Sequence, residues 1–212
     1  MPQYNKNEFR KGEIIMTKTI YVFRHGQTDY NVARRVMGQM DIPLNDVGRV
    51  QAAELANKLA TFAIGAIYSS PLARAMETAQ AVADKIGAPI ITDKRLMERH
   101  NGKLQGHIVH GTNNPAEYQM DYNQMELFWP AAQLNDDNWQ PDGGESRTEC
   151  WARGRAAITD IAKNAPYDTI AISTHSGIMR GILDLVGMGD TKIGNCDYVK
   201  LNWDGKKFSC QC

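Results

Sequence analysis

Two histidines follow apolar, β-branched runs of the kind that form buried strands. His25 comes just after residues 19–23, and His175 ends the run 169–174. In an open parallel sheet, ligands bind outside the carboxyl ends of the strands, so these two histidines can meet at one edge. A single histidine after a strand is more often structural. Two of them, one preceded by Arg24 and both followed by a nearby glycine, make a purely structural role much less favoured.

Arg74 and Glu98 add a cation and a carboxylate to this candidate site. Ser70 and Pro71 predict the N-cap and first residue of a helix, which places Arg74 in its first turn. The positive end of a helix favours an anion, so an arginine there suggests that an anion is shared. A carboxyl group beside a phosphate must be protonated or compensated, as the general acid for a leaving oxygen requires. A surface arginine and an ordinary salt-bridge glutamate are the alternatives.

Five ordered segments resemble the motifs of the histidine phosphatase superfamily, of the phosphoglycerate mutase-like type. They are residues 24–28 (Arg-His-Gly-Gln-Thr, with Asn31 after it), 69–79, 98–102, 143–146 and 173–180. Order and spacing match from about residue 19 to residue 208, which is nearly the whole chain. Arg-His-Gly alone is a weak signal, but five motifs in order are a strong one.

The resemblance implies a role for each matching position. His25 attacks phosphorus and becomes phosphorylated, and Glu98 protonates the leaving oxygen and later deprotonates the attacking water. Arg24, Arg74 and a cationic His175 surround the phosphoryl oxygens. The full implied site has His25, Glu98 and His175 as catalytic residues, with Arg24, Gln27, Thr28, Asn31, Arg74 and Ser176 binding phosphate. We expect no metal and no cofactor, because fixed side-chain charges can stabilise the equatorial oxygens.

The segment after Glu98 distinguishes a phosphatase from a mutase. Residues 98–106 resemble the cofactor-dependent phosphoglycerate mutases, but Asn101 and Val109 replace the tyrosine and lysine of those enzymes, and their Arg-Arg pair is absent. No Lys or Arg lies between residues 104 and 146, where acidic residues recur. Like charges would repel a small, doubly anionic substrate. We therefore expect a phosphomonoester hydrolase acting on a small phosphorylated metabolite, with the mutase as the alternative.

Aromatic residues in the same segment suggest a neutral or apolar substrate body. They are Tyr118, Tyr122, Phe128, Trp129 and Trp139, and the alternative is that they form a small core of their own. A catalytically silent relative that binds phosphorylated partners is a second alternative, although His25, Arg74, Glu98 and His175 are all present. A dinucleotide-binding oxidoreductase is disfavoured because no Gly-x-Gly-x-x-Gly follows the first strand.

The surrounding elements predict a three-layer, doubly wound α/β fold with a mostly parallel sheet and helices on both faces. The predicted strands are 19–23, 66–68, 89–92 and 169–173. The predicted helices are 45–60, 70–86, one that opens at a capping box at 146–149, and 177–186. A terminal hairpin is predicted over residues 198–209. Residues 101–144 break the pattern and predict an inserted lid. We expect residues 1–16 to be a flexible extension before a single domain, 17–212.

Composition sets limits on partners and location. The 212 residues include 24 Lys plus Arg and 24 Asp plus Glu, so the balanced chain has no global electrostatic reason to bind nucleic acid or an anionic membrane. No apolar run is long enough to cross a bilayer, and the four cysteines fit neither a zinc site nor a disulfide scaffold. We expect a cytoplasmic enzyme whose partners are a small phosphomonoester and phosphate. The terminal hairpin offers an edge for a homodimer.

Overall fold

One six-stranded sheet forms the centre of the protein. The computed structural model describes residues 17–107 and 137–210. The strands are β1 (Lys18–Arg24), β2 (Ala66–Ser69), β3 (Ile90–Thr92), β4 (Thr169–Thr174), β5 (Tyr198–Trp203) and β6 (Phe208–Cys210), in the order β3-β2-β4-β1-β5-β6. Strands β3, β2, β4 and β1 run parallel, while β5 pairs with β1 and with β6 in antiparallel fashion. The mostly parallel sheet and the terminal hairpin are therefore confirmed.

The described residues form five helices. They are α1 (Asp29–Val32), α2 (Asp46–Leu59), α3 (Ala73–Ile86), α4 (Arg147–Asn164) and α5 (Ser176–Asp184), and 3₁₀ turns cover Lys94–Leu96 and Gly102–Leu104. The short helix α1 was not predicted from the sequence. It begins with a capping box in which Thr28 and Asn31 each bind the other's backbone N–H.

Two apolar cores lie on opposite faces of the sheet. Ile20 and Val22 of β1 join the core that contains residues of α4 and α5, whereas Tyr21 and Phe23 join the core that contains residues of α2 and α3. Successive side chains of a strand point to opposite faces, and both faces of β1 are buried. The predicted three-layer arrangement is confirmed.

The start of helix α3 differs from the prediction. The helix begins at Ala73 with Leu72 as its N-cap, and no side chain of the cap accepts a hydrogen bond. Instead, the carboxylate of Asp41 accepts a hydrogen bond of 2.6 Å from the backbone N–H of Ala73. One N–H at the end of the helix that was expected to favour an anion is thus already bound by a carboxylate of the protein. The hydroxyl of Ser70 accepts a hydrogen bond of 3.3 Å from the backbone N–H of Leu72 and also contacts a distant residue, as described below.

Helix α5, in contrast to α3, begins earlier than predicted. It starts at Ser176, with His175 as its N-cap, and ends at Asp184 rather than at residue 186. The parallel pairing of β1 with β4 places Arg24 opposite Thr174. The chain therefore leaves both strands at the same edge of the sheet, and His25 and His175 are the next residues.

The two ends of the predicted lid lie side by side. The backbone N–H of Lys103 donates to the carbonyl of Asp142 (3.0 Å), and the N–H of Glu145 donates to the carbonyl of His100 (2.8 Å). Most of the lid and the N-terminal extension fall outside the described residues, so these two predictions are untested, as are the single domain and the homodimer. Among the described residues, no helix combines the length and apolar character needed to cross a bilayer.

Candidate active site

The two histidines meet at the carboxyl edge of β1 and β4. Their ring centroids lie 5.2 Å apart, and both side chains are buried. The backbone N–H of His25 donates to the carbonyl of Thr174 (3.0 Å), which fixes one strand end against the other. Nδ1 of His25 lies 2.7 Å from the carbonyl of Gly26, so this nitrogen carries the hydrogen. Nε2 of His25 then holds the lone pair that a nucleophile needs.

Two arginines lie beside the histidine pair, each held by main-chain carbonyls. Arg74, which is completely buried, donates from Nη1 to Met40 and from Nη2 to Gly38, both at 2.8 Å. Arg24 donates from Nη1 to the carbonyl of Ile193 at 2.7 Å. These bonds fix the orientation of both guanidinium groups before any ligand binds.

Three buried polar atoms at this site have no hydrogen-bond partner. They are Nε of Arg24, Nε of Arg74 and Nδ1 of His175, and they make up most of such atoms in the described part of the chain. His175 uses its other nitrogen, Nε2, in a contact of 2.8 Å with the hydroxyl of Ser70. Buried polar groups nearly always have hydrogen-bond partners. Three neighbouring nitrogen atoms without partners therefore indicate a site for an anion.

Burial and positive charge keep both histidines neutral. Burial holds the pKa of His25 well below its ordinary value, and the charges of Arg74 and Arg24 lower it further. The pKa of His175 is also held well below its ordinary value by burial, then by Arg74, His25 and Arg24. A neutral His25 suits a nucleophile. His175, which we expected to be a cation, needs the negative charge of a bound phosphate to favour its protonated form.

Glu98 lies at the N-terminus of helix α5. Its Oε2 accepts a hydrogen bond of 3.1 Å from the N–H of Gly177, and its Oε1 accepts one of 2.8 Å from the N–H of Arg99. Burial lowers the pKa of Arg24 and that of Arg74, the latter to about 10, and the nearby carboxylate of Glu98 partly offsets this effect. The structure therefore brings the predicted acid and the two histidines together.

Three of the other four predicted phosphate ligands lie in the segment after His25 and form hydrogen bonds within the protein. The hydroxyl of Thr28 accepts from the N–H of Asn31 (3.1 Å), and the N–H of Thr28 donates to Oδ1 of Asn31 (3.0 Å). Oε1 of Gln27 accepts from Nδ2 of Asn45 (3.0 Å). Ser176 opens helix α5 beside His175. Their roles toward phosphate stay predictions.

Two residues that sequence reasoning did not assign to the site hold its parts in place. Nδ2 of Asn195 donates to the carbonyl of His25 (3.1 Å) and to Oδ1 of Asn31 (3.3 Å). Ser70 contacts His175, although it was interpreted as a helix cap. Ser70 lies inside one of the recognised motifs, which could have revealed it. Asn195 lies outside all five motifs and carries no such signal.

The whole-chain comparison defines the class. The model of the histidine phosphatase superfamily (branch 1) matches residues 20–212, so the chain belongs to this superfamily. Phosphoglycerate mutase-like protein 4 of Arabidopsis thaliana is 32% identical over 198 residues, which cover 91% of this chain and 83% of that protein. The metal-independent phosphoserine phosphatase of the same plant is 32% identical over 188 residues, which cover 84% of this chain and 74% of that protein.

Mycobacterial phosphatases are also similar. Glucosyl-3-phosphoglycerate phosphatase of Mycobacterium tuberculosis is 36% identical over 149 residues, which cover 70% of this chain but only 62% of that protein. The solved structure of mycobacterial glucosyl-3-phosphoglycerate phosphatase with VO3 has a TM-score of 0.72 at 30% identity and covers 87% of this chain and 92% of that one. The predicted class, a histidine phosphatase acting on small phosphorylated metabolites, is confirmed.

Proposed function

We propose that this protein is a metal-independent phosphomonoesterase that carries the phosphoryl group on Nε2 of His25. The observation that supports this most directly is the buried cluster of His25, His175, Arg24 and Arg74 with its three unpartnered nitrogen atoms. Two fixed guanidinium groups and an imidazole offer donors to an anion, while His25 offers a lone pair. A phosphoryl group is the reacting anion that uses both features.

In the first step, Nε2 of His25 attacks phosphorus. The new N–P bond forms as the P–O bond of the ester breaks, and the departing oxygen takes a proton from the carboxyl group of Glu98. Arg24 and Arg74 stabilise the charge on the equatorial oxygens. His175 donates from Nδ1 once the bound phosphate favours its protonated form.

In the second step, water cleaves the phosphohistidine. The carboxylate of Glu98 accepts a proton from the water molecule, whose oxygen forms a bond to phosphorus as the N–P bond breaks. Inorganic phosphate leaves, and both His25 and Glu98 return to their starting protonation states. One carboxyl group serves both steps because the leaving oxygen departs on the side of phosphorus opposite His25, and the water molecule attacks from that same side.

The test is the turnover of p-nitrophenyl phosphate together with the detection of acid-labile phosphate on the protein. We expect His25→Ala to abolish both, and His107→Gln, which changes a histidine outside the cluster, to retain both. Undiminished turnover in His25→Ala, or a phosphoenzyme label that is stable in acid, would refute the assignment of the nucleophile.

We propose hydrolysis rather than mutase activity as the main reaction. Residues 104–146 contain no Lys or Arg, and the ammonium group of Lys103, just before them, is paired with the carboxylate of Asp142. A substrate with a second anionic group would find few free cations there.

We propose a substrate body that is neutral or apolar, as the aromatic residues of this segment suggest.

A substrate panel tests this preference. It should contain 3-phosphoglycerate, phosphoserine, glucosyl-3-phosphoglycerate and aromatic or nucleoside monophosphates. We expect the last group to have the highest kcat/KM and the interconversion of 3- and 2-phosphoglycerate to be negligible. A preference for the glycerate esters, whose carboxylate adds negative charge, would contradict the proposal.

A further inference from the structure

Arg153 of helix α4 binds the backbone of the segment that carries Glu98. Its Nη1 donates to the carbonyls of Arg95 (2.8 Å) and Met97 (2.7 Å), and its Nη2 lies 3.2 Å from the carbonyl of Glu98 itself. The side chain is largely buried, with 22% of its surface exposed. A single guanidinium group therefore binds three carbonyl groups within residues 95–98, the segment that ends with the proposed acid.

Glu145 completes this arrangement from the other side of Glu98. Its carboxylate forms an ion pair with Arg153, and Oε1 also accepts a hydrogen bond of 2.9 Å from the N–H of His100. The carbonyl of Glu145 accepts from Nε of Arg99 at 2.8 Å. Arg153 and Glu145 together hold the chain from residue 95 to residue 100. We call this pair the acid clamp.

We propose that the acid clamp positions Glu98 for proton transfer to the leaving oxygen, an inference that rests on the proposed phosphatase function. Neither Arg153 nor Glu145 touches the reacting atoms in this role, so both are positioning residues. A general acid works only within hydrogen-bond reach of its target, and small displacements reduce its contribution. The carboxylate of Glu98 itself has two N–H partners, from Arg99 and Gly177. The backbone that carries Glu98 is held by the acid clamp.

Two substrates with different leaving groups distinguish a loss of acid positioning from a general loss of stability. An alkyl phosphate, such as glycerol phosphate, needs protonation of its leaving oxygen, whereas p-nitrophenolate can depart without it. We expect Arg153→Met to reduce kcat/KM for the alkyl ester at least about tenfold more than for the p-nitrophenyl ester, since general acid catalysis contributes about 10² to 10⁴. Arg153→Lys, which cannot make all these bonds, should show the same pattern more weakly.

Four further variants make the result decisive. Arg155→Met changes an arginine of the same helix that pairs with Asp184 near the surface, and it should leave both rates unchanged. Glu98→Gln should reproduce the pattern, and adding Arg153→Met to it should cause little further loss for the alkyl ester. If Arg153→Met does not fold, Glu145→Gln and Arg153→Lys give the answer.

Each outcome has one meaning. An equal loss for both esters in the clamp variants, with an active wild-type protein, would overturn the acid clamp and leave the phosphatase function intact. A wild-type protein that hydrolyses neither ester and forms no phosphohistidine would instead overturn the proposed function. A selective loss for the alkyl ester, absent in Arg155→Met, would support the clamp.

Discussion

Gly177 allows the carboxylate of Glu98 to reach the N-terminus of helix α5. A Cβ atom at position 177 would lie 2.3 Å from Oε1 of Glu98, so the flexible end of that side chain would have to move. Gly177 has a helical conformation that alanine adopts easily, and alanine is the better helix former by about 1 kcal/mol. A substitution at position 177 can therefore impair catalysis without destabilising the fold.

We predict that Gly177→Ala keeps or slightly raises the free energy of unfolding while it lowers activity. The displaced acid should reduce kcat for an alkyl phosphate by about 10²-fold, within the range that general acid catalysis supplies. Urea denaturation and steady-state kinetics on the same preparation measure the two effects. Full activity in a well-folded variant would mean that Glu98 does not act from the position seen here.

The neutral histidine pair makes stability depend on pH. The pKa of each imidazole is lowered in the folded protein, mainly by burial, whereas an unfolded histidine titrates near its ordinary value of about 6.5. As pH falls below about 6.5, the unfolded state therefore binds protons that the folded state does not. Stability is full above this pH and is lost toward the lower pKa of the folded state.

We predict that the free energy of unfolding falls by up to about 1.4 kcal/mol per pH unit for each histidine below pH 6.5. His175→Gln removes one of the two groups, so its stability should fall less steeply with pH. Urea denaturation between pH 7.5 and pH 5 compares the two proteins. Equal slopes would show that His175 titrates normally in the folded protein.

At the scale of elements, a buried lysine links the start of β1 to the end of α4. Nζ of Lys18 donates to the carbonyls of Ala165 (2.5 Å) and Tyr167 (3.0 Å), and the residue is only 3% exposed. Ala165 is the C-cap of α4. The lysine therefore satisfies carbonyls just beyond the end of the helix, where no helical N–H can reach them.

We predict that Lys18→Met destabilises the protein by about 1–3 kcal/mol, because it leaves buried carbonyls without a donor. Lys163→Met, which changes an exposed lysine near the end of the same helix, should cost no more than about 0.5 kcal/mol. Urea denaturation of both variants gives the comparison. A similar small effect for both would show that the two carbonyls find other partners.

The start of α3 shows where local sequence patterns stop being sufficient. Ser70 before Pro71 is a common way to begin a helix, yet the hydroxyl of Ser70 contacts His175, which is 105 residues away. The N–H of Ala73 is bound by Asp41, which comes from a loop between α1 and α2. A local capping pattern cannot reveal that residues far away in the sequence bind the serine hydroxyl and the first N–H groups of the helix.

At the scale of the whole molecule, the site collects positive charge that a bound anion would offset. Arg24, Arg74 and the histidine pair come from three separate segments, so an anion that binds all of them ties these segments together. Any ligand that binds only the folded state raises the free energy of unfolding in proportion to RT ln(1 + [L]/Kd).

We predict that orthovanadate at about 100 times its Kd stabilises the protein by about 2.7 kcal/mol. For a chain of this size, that corresponds to an increase in Tm of about 5–11 °C. Differential scanning calorimetry measures the shift, and Arg74→Gln should greatly reduce it. The absence of a shift in the wild-type protein would contradict an anion site at this edge of the sheet.

The sequence by itself determined the fold class and predicted which groups react. Apolar runs predicted the central strands because β1, β2 and β4 are buried along most of their length. The five motifs predicted His25, Glu98 and His175 as the reacting groups. Only the tertiary structure decided which atoms are free to react. The tautomer of His25, the neutrality of His175 and the acid clamp around Glu98 depend on hydrogen bonds and burial between residues far apart in the chain, which no local pattern records.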